Sequence, residues 1–407
     1  MNIFLPIIFV FLIFESLLKE YNLISGYEDE LIIGLVFFYS VFKYRMPKNY
    51  FNLIILFLVS NIFTAYFSKY KFNGYIFLLD IILFLKPILF FISLKLLNSE
   101  IYKTNIRYII TFSRFFVFVS FLFLPLHYYM NYFDSNFHRF DILAYQFFYT
   151  NPGKFSNIIL ITGLLSFSIK RNKYSSLFYL FTVILMISTL RFKSFVLVIP
   201  IILFTTFPSI KNYTTSYIKK KIITQQLFTL KTVVYLIPLF LLISLPAITK
   251  FNNVFLNTEE GIAPRLLFIN TSIEIFISKF PFGIGPGYFG SALANMFYSP
   301  LYVDLGWSNI RGFGENSSTN FLNDTFWPMI IAQYGFLGLL VVLKMFKFFI
   351  YDYLYTIIIN PDSFLFVFVG VISIITGTFG SATFIGTLGM LYIISNCFLG
   401  YKTTCEG

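Results

Sequence analysis

Two places in this 407-residue chain carry residue types that could do chemistry. One is the short segment STLRFKS at 188–194, which sets Arg191 and Lys193 two positions apart between apolar runs. The other runs from Pro264 to Leu340. It opens on PRLLFINTSIEIFISKFPFGIGPGYFG, passes through a polar segment, and closes on NDTFWPMIIAQYGFLGLL. Gly283, Gly285 and Gly287 permit backbone turns and close approach of a ligand. Pro281 and Pro286 stiffen the same segment. A glycine-rich turn alone is most often only a turn. Arg191 and Lys193 read equally well as headgroup anchors or as part of a site.

The elements that must position these residues are membrane helices. The chain is 57% hydrophobic and only 12% charged, with a mean hydropathy of +0.78. A soluble domain of this length could not hide that much apolar surface. Repeated apolar runs of about 17–23 residues match a hydrocarbon core of ~30 Å. They do not alternate as the strands of a membrane β-barrel would. The expected fold is therefore all-α and polytopic. The net charge of +12 follows largely from Lys- and Arg-rich cytoplasmic loops, and nucleic acid is not an expected partner. Cys397 and Cys405 have no zinc-ligand spacing with histidine and suggest no disulfide framework.

Reading the basic loops as cytoplasmic orders the helices. Residues 2–18 read as an uncleaved helix going out, and the acidic loop at 21–30 lies outside. Alternation then puts the turn at 191–193 outside, the 211–231 loop with its KKK triplet inside, a span at 232–248, and the long 249–324 segment outside. The expected organisation is helices one to nine in 1–248, a large outer (periplasmic) loop in 249–324, and helices ten to twelve with a short tail in 325–407. That makes about twelve spans with both termini cytoplasmic. Residues 341–361 either extend one helix or hide a short interfacial one. Pro264 suits a first helical turn. Leu266, Ile269, Ile273, Phe276, Ile277 and Phe280 then share one face, which reads as a helix lying on the outer membrane surface. It would hold Arg265 near the mouth of the bundle. Lys86, Asp80 and Arg114 fall within spans, where structural pairing or snorkelling competes with a substrate pathway.

These features together resemble the O-antigen polymerase and ligase superfamily over nearly the whole length. Its members have about twelve helices and one large, late periplasmic loop. That loop carries an Arg, a P-F-G-x-G-x-G-like turn, a polar residue, and a helix ending in [EQ]-x-G-hydrophobic-x-G. The counterparts here are Arg265, PFGIGPG at 281–287, Asp324, and QYGFLG at 333–338. Arg191 in STLRFKS matches a second Arg of the superfamily. Ligases of this group usually carry a His where Asp324 stands, and the two histidines, His127 and His138, lie in another segment. The departure favours polymerase over ligase.

The resemblance implies a repeat-unit polymerase in the inner membrane of a bacterial cell. Its substrate would be an oligosaccharide on undecaprenyl pyrophosphate, with a chain-length regulator as a further partner. The growing glycan would pass from one lipid carrier to the non-reducing sugar of the next unit. The leaving lipid pyrophosphate gains charge, which fixed cations stabilise. Arginine suits that task through its bidentate, permanently protonated fork. Arg265 and Arg191 are the implied catalytic cations, with Lys193, Arg311 and the glycines at 283, 285 and 287 in substrate binding. Asp324 is the candidate to take the proton of the acceptor hydroxyl; its plainer reading is a helix N-cap. No cofactor is expected, and Glu259, Glu260, Asp304 and Glu315 form no D-x-D or His-rich metal motif. A ligase, or a flippase for the same lipid-linked unit, is the competing reading.

Overall fold

The computed structural model describes residues 4–21, 23, 28–68, 70, 73–97, 99–130, 138–139, 142–149, 151–167, 173–223, 264–310, 312–315, 321–322, 326–380 and 385–400. The first nine helices are α1 (Phe4–Glu20), α2 (Glu28–Lys43), α3 (Lys48–Phe67), α4 (Gly74–Leu96), α5 (Ser99–Met130), α6 (Pro152–Phe167), α7 (Lys173–Ser188), α8 (Phe192–Thr206) and α9 (Pro208–Ile223). A two-residue antiparallel pairing, His138–Arg139 with Ile142–Leu143, lies between α5 and α6. Beyond 263 come α10 (Pro264–Ser278), the short α11 (Ala292–Met296) and α12 (Pro300–Asp304), then α13 (Trp327–Ile359), α14 (Phe364–Gly380) and α15 (Thr387–Gly400).

Among the described residues, five helices are long and apolar enough to cross a membrane, and a sixth if α8 and α9 count as one bent span. The chain is thus a helical membrane protein. The expected span at 232–248 lies outside the described residues, as do 249–263. One expectation changes. The basic segment at 211–231 begins as helix rather than loop, because α9 runs to Ile223 at 103° to α8. Of the two readings of residues 341–361, the extension of one helix is the one found, since α13 runs on to Ile359.

Ring contacts fix the directions of the helices. Phe9 and Phe14 meet Phe112 and Phe116, so α1 and α5 run parallel. Phe57 meets Phe84 and Tyr334 while Tyr50 meets Phe91 and Phe348, so α3 runs against both α4 and α13. Tyr102 at the start of α5 donates to Leu94 O near the end of α4 at 2.5 Å and packs on Phe398 of α15. These contacts put the end of α3, the start of α4, the end of α5 and the start of α13 at one end of the bundle. The opposite end is tied by Lys95 to Asp352 at 2.7 Å and by Asn360 Nδ2 donating to Leu399 O at 2.9 Å.

A second, smaller core lies beneath the 264–322 segment. Phe268, Phe289, Tyr302, Trp307 and Phe313 are buried there together, with Tyr302 stacked on Trp307 at 5.3 Å. This late segment is therefore a packed layer over the first end of the bundle.

Candidate functional site

The two motifs at 281–287 and 333–338 are built into each other. Gly335 has φ 59° and ψ −159°, which breaks α13 after its second turn. Only glycine adopts that conformation at low cost. The break frees backbone groups, and the glycine-rich turn bonds them. Ile284 N donates to Ala332 O at 2.9 Å, and Gly285 N to Gln333 O at 3.0 Å. Phe336 N donates back to Pro281 O at 2.8 Å. The approach is so close that a Cβ on Gly283 would sit 2.6 Å from Gly335 N, and one on Gly335 would sit 2.5 Å from Gly283 N.

Two polar side chains buried in the protein complete this clasp. Gly287 N donates to Asp80 Oδ2 and Gln333 Oε1, both at 3.0 Å. Gln333 Nε2 donates to Phe289 O at 2.5 Å. Asp80 comes from α4, 207 residues away in the chain. From the end of α3, Ser68 Oγ donates to Ile284 O at 2.6 Å. The amides of Gly283, Gly285 and Gly287 are thus all engaged within the protein, that of Gly283 by Lys279 O at 3.1 Å. The sequence singled out Asp80 only as a charge in a span. Its burial depth was legible, but its partner was not.

The segment 188–194 forms a second constellation at the same end of the bundle. Leu190 takes a positive φ of 50°, and Arg191 occupies the N-cap place of α8. Arg191 Nη2 donates to Asn151 Oδ1 at 2.7 Å, an oxygen that also accepts from Gly153 N. Below it, Ser194 Oγ lies 2.7 Å from Ser156 Oγ and 2.9 Å from Thr189 Oγ1, locking α6, α7 and α8 together. Lys193 is half-buried, and no ion pair or hydrogen bond to it is found among the described residues. The buried His127 lies beside this turn. Its ring is 5.1 Å from that of Tyr145, whose N donates to Ser188 O at 2.9 Å. Sequence position alone set His127 in a different segment, and the fold brings it back.

Arg265 lies in the first turn of α10, at the helix start expected from Pro264. Its side chain, Arg311 and Asp324 lie outside the described residues. The cap reading of Asp324 needs correction in one respect: α13 begins at Trp327, and the N-cap place falls on Phe326, two residues further on, with no side-chain bond. On α10, three residues of the apolar stripe expected at the membrane surface turn away from the protein. Phe268, Thr271, Ser272 and Ile275 are buried against the protein, whereas Ile273, Ile277 and Phe280 face outward.

The three charges within spans have separate local partners. Lys86 pairs with Asp29 at 2.7 Å and Glu30 at 2.6 Å from α2. Asp80 holds the clasp, and Arg114 Nε donates to Ser166 O at 3.2 Å. They form no shared polar path among the described residues. Nor do any three His, Cys, Asp or Glu side chains there converge as a metal site requires. No protein-family model, curated protein or solved structure gives a significant match to the chain.

Proposed function

We propose that the protein is a polysaccharide repeat-unit polymerase of the O-antigen type. In this reading it transfers the growing glycan from undecaprenyl pyrophosphate to the next lipid-linked unit at the outer face of a bacterial inner membrane. One observation carries the reading. The two motifs of the resemblance, 46 or more residues apart, are hydrogen-bonded into one clasp at the end of the bundle where Arg191 and Lys193 also lie. The glycines serve the site by shaping the clasp, since their amides are engaged within it. Charge on the leaving pyrophosphate then falls to side chains. Arg191 is held by Asn151 in a fixed pose, and Lys193 sits half-buried beside it without an acid partner among the described residues. Arg265, Arg311 and Asp324 complete the set, with Asp324 accepting the proton of the acceptor hydroxyl. A fixed cation aimed at developing charge contributes through preorganisation, because no solvent need reorganise as the bond breaks.

The test is glycan length on cells of the source organism from which the protein has been deleted. Loss of a polymerase leaves single repeat units attached to the final acceptor, and the wild-type chain restores the ladder. Long chains retained on the lipid carrier would point to a ligase. Units trapped inside the cell would point to a flippase. The separately partnered Lys86, Asp80 and Arg114 give no support to the flippase.

A further inference from the structure

The clasp end of the bundle is rimmed by exposed aromatic and apolar side chains. Tyr66 and Phe67 close α3, Tyr75 opens α4, Phe280 follows α10, and Met296 and Phe297 stand at the end of α11, all of them exposed. We propose that these residues form an interfacial belt, which binds phospholipid headgroups and seats α10, the glycine-rich turn and α11 among them. The clasp then lies at the edge of the hydrocarbon core instead of standing off in water.

Helix lengths set the depth. α3 has 20 residues and α4 has 23, which at ~1.5 Å per residue are about 30 and 34 Å long. A hydrocarbon core of ~30 Å is just filled by α3, with Lys48 at its first position on one boundary and Phe67 at its last on the other. α4 overshoots that core by only about 4 Å, and any tilt shortens its projection. Tyr75, one residue into α4, therefore sits at the same boundary. Ring contacts carry this level into the later segment. Phe282 of the turn stacks on Phe67 at 4.5 Å, and Phe297 meets Tyr75 edge-on at 6.4 Å. The exposed Phe280 packs on Phe336 of α13 at 5.5 Å. Headgroups add roughly 5–7 Å beyond the core on each side, so these rings fall within that zone, where aromatic side chains are favoured. Below Tyr75 the exposed Leu78 and Ile82 continue down α4, and the outward Ile273 and Ile277 of α10 lead to Phe280. The belt is thus the upper rim of a surface that lipid already covers. In water the same residues would leave a broad apolar patch bare. One consequence rests on the polymerase reading: the pyrophosphate of a lipid carrier lies in this zone, so the substrate would reach the clasp sideways through the bilayer.

The test puts a photo-crosslinking benzoylphenylalanine in place of Tyr66, Leu78 or Phe297, one at a time, in the full-length protein. Each replaced side chain is exposed, and two of the three are already aromatic, so the fold is retained. The variants are reconstituted in vesicles of phosphatidylethanolamine and phosphatidylglycerol and illuminated. Mass spectrometry should find phospholipid adducts at all three positions. Those at 66 and 297 should map to the glycerol and the upper acyl carbons, and those at 78, about 5 Å deeper, to the acyl chain. Loss of lipid adducts at 297 while 78 still forms them would overturn the belt, as would a cross-linked second copy of the chain in their place. Adducts at 297 confined to the lower acyl chain would overturn the depth. Adducts as expected in a protein whose deletion leaves the glycan ladder intact would keep the belt and remove the polymerase, whereas a lost ladder without adducts at 297 would do the reverse.

Discussion

Gly335→Ala is the most direct probe of the clasp. At φ 59° and ψ −159°, alanine is strained by about 1–3 kcal/mol before any contact is considered. Its Cβ would also sit 2.5 Å from Gly283 N, Phe282 C and Pro281 O, all backbone atoms of the turn. Backbone cannot rotate aside as a side chain can, so the turn must move off. The bonds Ile284 N to Ala332 O, Gly285 N to Gln333 O and Phe336 N to Pro281 O then go with it. At about 1 kcal/mol net each, these add roughly 3 kcal/mol, for a total cost of about 4–6 kcal/mol. Gly34→Ala is the control, since a Cβ there meets nothing within 4 Å and alanine favours a helix. Thermal unfolding in detergent should fall sharply for Gly335→Ala and hold or rise slightly for Gly34→Ala. The long-chain ladder should be lost with the former alone. Wild-type stability and ladder in Gly335→Ala would refute the idea that the clasp organises this end of the molecule.

Other expectations are equally checkable. Arg265→Ala should lower chain extension by roughly 10²–10³, the scale of one lost transition-state donor, and Arg265→Lys should also fail because a point charge lacks the bidentate fork; a normal ladder at equal membrane level would remove Arg265 from the site. Asp324→Asn should reduce extension about 10²–10⁴-fold without unfolding the protein, since asparagine cannot take a proton; an unchanged ladder would leave Asp324 no catalytic part. Reporter fusions after Asn257 and after Lys221 should signal opposite sides of the membrane, as the basic-loop bias requires, and same-side signals would overturn the orientation and the site with it.

What was legible in the sequence, and what was not, divides along one physical line. Local signals held: Pro264 does open a helix, and five of the apolar runs are, among the described residues, helices long enough to span. Ile273, Ile277 and Phe280 of the expected apolar stripe of α10 do point outward, while the face buried against the protein includes Phe268, Thr271 and Ser272. That inner face was not legible, because lipid is as apolar as a side chain. An outward Ile then costs nothing, and small or polar residues turn inward where backbones approach. The basic run of α9 misled for the opposite reason, because charge density reads as loop although lysine is a good helix former. The partnership of Asp80 with Gly287 spans 207 residues and leaves no local mark beyond a carboxylate in a hydrophobic run.

That partnership also bears on how such a site can work. A glycine-rich turn at a helix end invites the expectation of free amides cradling a phosphate. Here the helix is broken, and the freed carbonyls of Ala332 and Gln333 have already taken the amides of Ile284 and Gly285, while Asp80 and Gln333 take that of Gly287. A buried carboxylate facing the turn would oppose an anion at the same spot. On the polymerase reading, a negatively charged leaving group would therefore be met by side-chain cations arriving from other elements, with the glycines serving to fix the platform. Such a division of labour demands a rigid platform, because a cation misplaced by an ångström loses much of its effect on a transition state. The clasp supplies that rigidity by tying α3, α4 and both halves of α13 to a single turn.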